Sequence, residues 1–382
     1  MREIRLTVTM RDIAAANHLA EVINPLNVPS NFRITTLAQA PASDLLLERS
    51  IDHIRVDLPN AQTTSSSEAE NLLEYARQHL SSNPSDAILA GLSTPFDGGI
   101  DEAFLAQSDN PKFLLQDFWG EQNRFFGRGA DIALVLDEAA LARNAVKFGM
   151  RSIVVGSARH SSYANIDFPS LRKDVRRDLS VDDDQHVIGF FGQALNRLPG
   201  YGRTLKAFIR SLSEIKKKVI VVIKSHPRET ARQRKELADL FEEVSVKKIF
   251  CNDHSVDTLL PACDIVCSLF SNCTYDASYQ NWFSSEPLSV PVSLLFDPEI
   301  AEYYRERVEF EDLPIHSHGL VTPVYSQRDL VEILENSLHN EKRAHVWQKS
   351  KRVLPDPAQA ISRIYESIAQ EIDERRSGLS TY

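Results

Sequence analysis

The segments VIGFFGQ (187–193), VIVVIKSHPRE (219–229), DIVCSLFSNCTYDAS (264–278) and SVPVSLLF (289–296) decide how the whole chain is read. Each opens on an apolar run rich in Val, Ile and Phe, and most pass into a polar loop and then a helical pattern. Apolar runs of this length without alternation belong to strands buried on both faces, as in a parallel sheet covered by helices. In such sheets ligands bind beyond the carboxyl ends of the strands, which makes the loops at Gly192, His226 and Ser271 the expected functional edge.

Working outward, the chain of 382 residues exceeds the usual size of one core, so two domains are expected. Its 42% hydrophobic and 25% charged residues are those of a globular protein. The formal net charge of -10 argues against nucleic acid, because binding along a phosphate backbone needs a basic face. No apolar run approaches the ~20 residues of a membrane helix, and the polar, strand-like MREIRLTVTM does not read as a signal peptide. The expected location is therefore the cytoplasm. The four cysteines, at 251, 263, 267 and 273, contain no CxxC pair and read as core and loop thiols, so no metal is expected.

Before the deciding segments, IRLTVTM, FRITTLA, HIRVDL, DAILAGLS, KFLLQDFWG, ADIALVLD and SIVVGS alternate with helical patterns. This reads as a doubly wound domain over 1–164. The polar stretch 165–186 reads as a linker with a short helix, 187–355 as a second α/β domain, and 356–374 as a closing helix. The last residues, RRSGLSTY, are expected to fray.

Three loops of the second half carry candidate chemistry. In GQALNRLPGYGRTL (192–205), Gly192 and Gln193 end the strand. Gly202 and Arg203 open a helix whose free N–H groups suit a phosphate, and Tyr201 is a candidate platform for a base; the alternative is a simple Pro-Gly turn. In KSHPRE, Lys224, Ser225, His226 and Arg228 stand at a strand end, with His226 a donor to phosphate or sugar. Ser271, Asn272, Cys273 and Thr274 precede a helix carrying Asp276. They suit phosphate and ribose, or equally an N-cap with an acidic first turn. In the first half, LLQDFWGEQNRFF (114–126) offers Asp117 and Glu121 as general bases, Arg124 to orient one of them, and Trp119 as a face for a sugar. His316 and His318 read as a surface loop.

Two α/β halves, a strand followed by an HP loop, and a Ser-containing loop before a helix and the VPV strand together resemble the GT-B glycosyltransferases. The nearest branch contains UDP-N-acetylglucosamine 2-epimerase and bacterial capsule or teichoic-acid transferases. The resemblance implies two Rossmann-like domains facing a central cleft, with the last helix crossing back to the first domain. It also implies a nucleotide-sugar donor held by the second domain, a sugar or glycoconjugate acceptor held by the first, and no obligatory metal or cofactor. A peripheral membrane contact is left open. His226 matches the family's HP histidine, 271–276 its Ser loop and ribose-binding acid, and GEQNR (120–124) the epimerase PEExNR run, with Glu121 at its second acid. The usual glycine-rich first loop is replaced by TMRDIAAANH (9–18), and GLSTPFDGG (91–99) has no clear counterpart of the epimerase's catalytic Asp loop. The expected function is a metal-independent glycosyltransferase in cell-surface polysaccharide or glycoconjugate synthesis. A UDP-sugar 2-epimerase or a non-catalytic GT-B-like binding protein are the alternatives.

Overall fold

The computed structural model describes residues 3–182, 184–226, 228–308 and 312–378. The chain divides into two compact units, Met1–Ala164 with Pro355–Tyr382, and Asn165–Leu354. Pro227 of the HP pair and the end of the expected frayed tail, 379–382, lie outside the described residues.

The first unit holds seven parallel strands in the order β3-β2-β1-β4-β5-β6-β7. They are β1 Ile4–Met10, β2 Phe32–Gln39, β3 Ile54–Val56, β4 Ala87–Gly91, β5 Lys112–Leu115, β6 Ile132–Val135 and β7 Arg151–Val154. In the central register Val8 pairs with Thr36 on one side and Leu89 on the other, and β4 is buried along its whole length. The helix Ala360–Arg376 belongs to this unit. Its Ile361, Ile364, Tyr365, Ile368 and Ile372 join the core under β1, β5 and β6, and Tyr365 Oη donates to Val22 O at 2.7 Å. Polar clamps add to the apolar seam, for example Arg375 to Asp131 at 2.9 Å.

The second unit holds six parallel strands in the order β10-β9-β8-β11-β12-β13. They are β8 His186–Phe191, β9 Val219–Lys224, β10 Lys247–Phe250, β11 Ile265–Ser268, β12 Val290–Leu294 and β13 Thr322–Val324. Both sheets reverse winding direction once, between β1 and β4 and between β8 and β11, which opens the crevice where doubly wound sheets bind ligands. The polar 165–186 stretch lies within the second unit, and its helix Phe168–Asp178 is held there through Val175 and two arginines. The thiols of Cys251, Cys263 and Cys267 are buried, and burial pushes that of Cys263 up to about 12.

Candidate functional site

At the carboxyl edge of the second sheet, three loops are tied together across the β8/β11 reversal. Phe270 N–H donates to Gln193 Oε1 at 2.9 Å, Gly192 N–H to Lys224 O at 2.9 Å, and Ser268 Oγ to Phe191 O at 2.7 Å. Ser225 N–H donates to Asn252 Oδ1 at 2.9 Å, which extends the lacing to the loop after β10. His226 is half-buried, and its Nδ1 accepts the Arg228 N–H at 3.2 Å, which places the ring proton on Nε2. Burial, and then the Arg228 charge, lower its pKa below the ordinary histidine value, so the neutral ring is the form present at pH 7. Ser271 is the N-cap of the helix Asn272–Phe283, its Oγ accepting from Cys273 N–H at 3.3 Å. Thr274 is buried and its hydroxyl returns to Ser271 O at 2.9 Å, so it fixes the cap. Asn272 is exposed, Cys273 half-buried and Asp276 buried.

The GYGR helix start departs from expectation. The helix Pro199–Leu212 does begin there, but the protein supplies its anion. Gly200 N–H donates to Glu299 Oε2 at 2.5 Å, and Arg203 pairs with Asp297 at 2.8 and 3.0 Å and with Glu299 at 3.2 Å. Two carboxylates thus fill the positive end of the helix dipole that was expected to take a phosphate. Tyr201 is 2% exposed, its Oη accepting from Gln193 N–H, so its ring supports the loop instead of stacking on a base. Gly202 sits half-buried on this helix. Lys224 is likewise committed, its ammonium bonded to the Asn252 and His254 carbonyls.

At the carboxyl edge of the first sheet, Asp117 follows β5 and is partly exposed, but desolvation pushes its carboxyl up to about 7. Asp12 nearby also raises it, while its own backbone N–H and Arg159 oppose the shift. Glu121 Oε1 lies 3.7 Å from Lys147 Nζ. The turn into Glu121 needs Gly120, whose φ is +63° and whose added Cβ would meet Arg143 Cδ at 2.2 Å. Trp119 is 2% exposed and donates from Nε1 to Asp137 Oδ2 at 2.8 Å, which withdraws it as a sugar platform. Arg124 bonds Gln122 Oε1 at 2.6 Å and lies over the Phe148 ring; among the described residues it orients neither Asp117 nor Glu121. The 94–99 loop is instead held by Arg11, which reaches Asp97 Oδ1 at 2.8 Å, the Thr94 and Asp97 carbonyls at 3.2 Å, and Glu102 Oε2 at 3.3 Å. Gly99 lets it do so, since a Cβ there would stand 2.4 Å from Arg11 Cδ.

No family model and no curated protein matches the chain. Solved structures do match it. A putative UDP-N-acetylglucosamine 2-epimerase from Listeria monocytogenes aligns over 97% of this chain and 97% of its own, at TM-score 0.70 and 13% identity. The S. aureus MnaA–UDP co-structure aligns over 99% and 98%, at 0.64 and 12%. Acinetobacter baumannii MurG aligns over 96% and 99%, at 0.63 and 9%. The chain has the GT-B fold.

Among the GT-B loops of the second unit, Gly192, Gln193, Ser225, His226 and Ser271 are brought into one laced edge. Arg203, Tyr201 and Lys224 are used elsewhere. Sequence reasoning missed Asn252, Asp297 and Glu299, which act on residues distant in the chain and belong to no motif. It also missed the buried group Arg11, Asp101 and Glu102, for which the Gly-Gly before Asp101 was the available signal.

Asp101 is fully buried, and burial followed by the Glu102 charge pushes it up to about 8, with the Thr9 hydroxyl and Arg11 opposing the shift. Its folded pKa lies above the ordinary 3.8, so the native state binds this proton more tightly and stability falls as pH rises from about 4 to about 8. The single-proton slope is at most ~1.4 kcal/mol per pH unit. Urea unfolding at pH 5 and pH 8 should show that loss in the wild type, and a flatter profile with higher stability at pH 8 in Asp101→Asn. Equal pH dependence in both proteins would refute the assignment.

Proposed function

We propose that this GT-B protein is a nucleotide-sugar-dependent glycosyltransferase, acting in the synthesis of a cell-surface polysaccharide or glycoconjugate. The observation that carries the reading is the laced edge at the β8/β11 reversal, where the His226 Nε2–H donor and the Ser271-capped helix share one loop cluster. A donor N–H and a helix N-terminus meet the charge that develops on a departing diphosphate, without a metal. Asn272 and Arg228 are exposed on the same loops and serve the donor's outer groups. In the reaction the acceptor oxygen bonds to the anomeric carbon, the bond to the diphosphate breaks, and the acceptor proton passes to a carboxylate. Asp117 is assigned that role, since a pKa near 7 suits a general base at neutral pH. Glu121, held beside Lys147, is the second candidate. The S. aureus structure with UDP, and one of a Neisseria meningitidis epimerase bound to UDP-GlcNAc, support a nucleotide-sugar ligand.

The same property of Asp117 favours a second reading, a UDP-sugar 2-epimerase. A carboxyl poised near 7 can remove a proton and return it. Incubation with UDP-GlcNAc alone separates the two, followed by NMR. Epimer formed without acceptor identifies the epimerase, and UDP released only with a sugar acceptor identifies the transferase. A thermal-shift series with UDP-, GDP-, CDP- and CMP-linked sugars precedes it, because a ligand of the native state raises the melting temperature. If none of these donors stabilises the protein, both readings fail.

A further inference from the structure

A cavity of about 910 Å³ lies at the amino edge of the second sheet, the end opposite the Gln193, His226 and Ser271 loops. At its base is Asp264, the residue before β11, whose side chain is 3% exposed. Arg172 Nη2 reaches Asp264 Oδ1 at 2.6 Å, Arg176 Nη1 reaches Oδ2 at 3.3 Å, and Arg343 Nη1 also bonds Oδ1. Three guanidiniums against one carboxylate leave two formal positive charges, on side chains only 16%, 16% and 17% exposed. The other carboxylates of the cavity, Asp182, Asp184 and Glu286, are exposed at its rim, and Asp184 is already paired with Lys218.

The three arginines are not equivalent. Arg172 also donates to the Pro261, Cys263 and Leu288 carbonyls, and Arg176 to those of Ala262 and Gln185, so these two act as structural staples. Among the described residues Arg343 bonds only Asp264 and Asn340, and its buried Nε has no partner there. Lys173, on the cavity wall, forms no ion pair among the described residues. A half-buried cationic centre with unused donors is costly alone, and is relieved by an anion with several oxygens.

We propose that this cavity binds a multivalent phosphate anion, with Arg343 and Lys173 as its ligands above the Arg172–Asp264–Arg176 base. The chain's net charge of -10 opposes anion binding elsewhere, so the attraction is local. The ligands come from Phe168–Asp178 and Asn340–Val353, the helices next to the chain crossings at 164/165 and 354/355. A bound anion ties the first and last long helices of the unit together and stabilises it.

The test is calorimetric titration of the full chain with inorganic pyrophosphate at constant ionic strength, with the melting temperature followed in parallel. The wild type should bind and melt higher. Arg343→Gln should weaken binding about tenfold or more, the loss of one or two charge-assisted hydrogen bonds. Lys173→Gln should weaken it severalfold. Among the described residues the Lys173 side chain makes no hydrogen bond or ion pair, only a longer-range interaction with Asp167, so its variant decides the matter if Arg343→Gln proves poorly folded. The proposal is overturned if pyrophosphate does not bind, or if Lys173→Gln and a folded Arg343→Gln bind as the wild type does.

Discussion

Replacing Asp264 with alanine is expected to destabilise the second unit by about 3–5 kcal/mol, because removing one partner of a buried ionic cluster strands the others. The stranded groups are Arg172, Arg176 and Arg343, together with the Val187 N–H that donates to Asp264 Oδ2 at 2.8 Å. Asp264→Asn keeps the shape and loses the charge, so its cost should be intermediate. Burial alone would raise the pKa of this carboxyl, but His186, Arg172, Arg343 and the Val187 N–H overcome it and hold it well below the usual carboxylate range. A depressed folded pKa contributes stability above the unfolded value, near pH 4, which is lost as pH falls below it. Urea unfolding should therefore show a loss of wild-type stability below about pH 4 that Asp264→Ala lacks. A variant within 1 kcal/mol of the wild type at pH 7 would mean that the arginines hold the helices through the carbonyls alone.

Replacing His226 with alanine is expected to cut kcat by about 100-fold, the usual cost of losing one preorganised donor to a developing oxyanion. The melting temperature should move little, since among the described residues the half-buried ring accepts one hydrogen bond, from the backbone N–H of Arg228. His226→Gln offers an N–H in a similar place and should recover part of the rate, which a purely structural role would not explain. Steady-state kinetics with the donor found by thermal shift makes the comparison. Full activity in His226→Ala would remove His226 from the reaction.

Much of this architecture was legible because burial leaves a pattern in the chain. The run VIVVI is apolar at every position because β9 is covered on both sides, and the 3.6-residue spacing of Ile361, Ile364, Ile368 and Ile372 marks one face of a helix. Segments stabilised by polar contacts left no such trace. The helix Asn340–Val353 is largely charged and buries only Val346 and Ser350, so its sequence carries no strong stripe. The short strand β13, Thr322–Val324, contains Pro323 and stands at a sheet edge, where pairing decides its conformation.

The candidate site divides along the same line. Local chemistry placed His226 after β9 and Ser271 as a helix cap, because a strand end and an N-cap are set by neighbouring residues. Local chemistry also suggested a phosphate site at Gly200–Arg203. The tertiary structure fills it with Asp297 and Glu299, nearly a hundred residues away. Trp119 and Tyr201 carried an aromatic face in the sequence, and packing buried both. By itself, then, the sequence determined the two parallel sheets, their reversal-point loops and the closing helix, all written in short-range apolar periodicity. Only the tertiary structure decided which charged and aromatic groups remain available for a ligand. A side chain's last partner depends on what long-range folding brings within about 3 Å of it, and no local pattern encodes that.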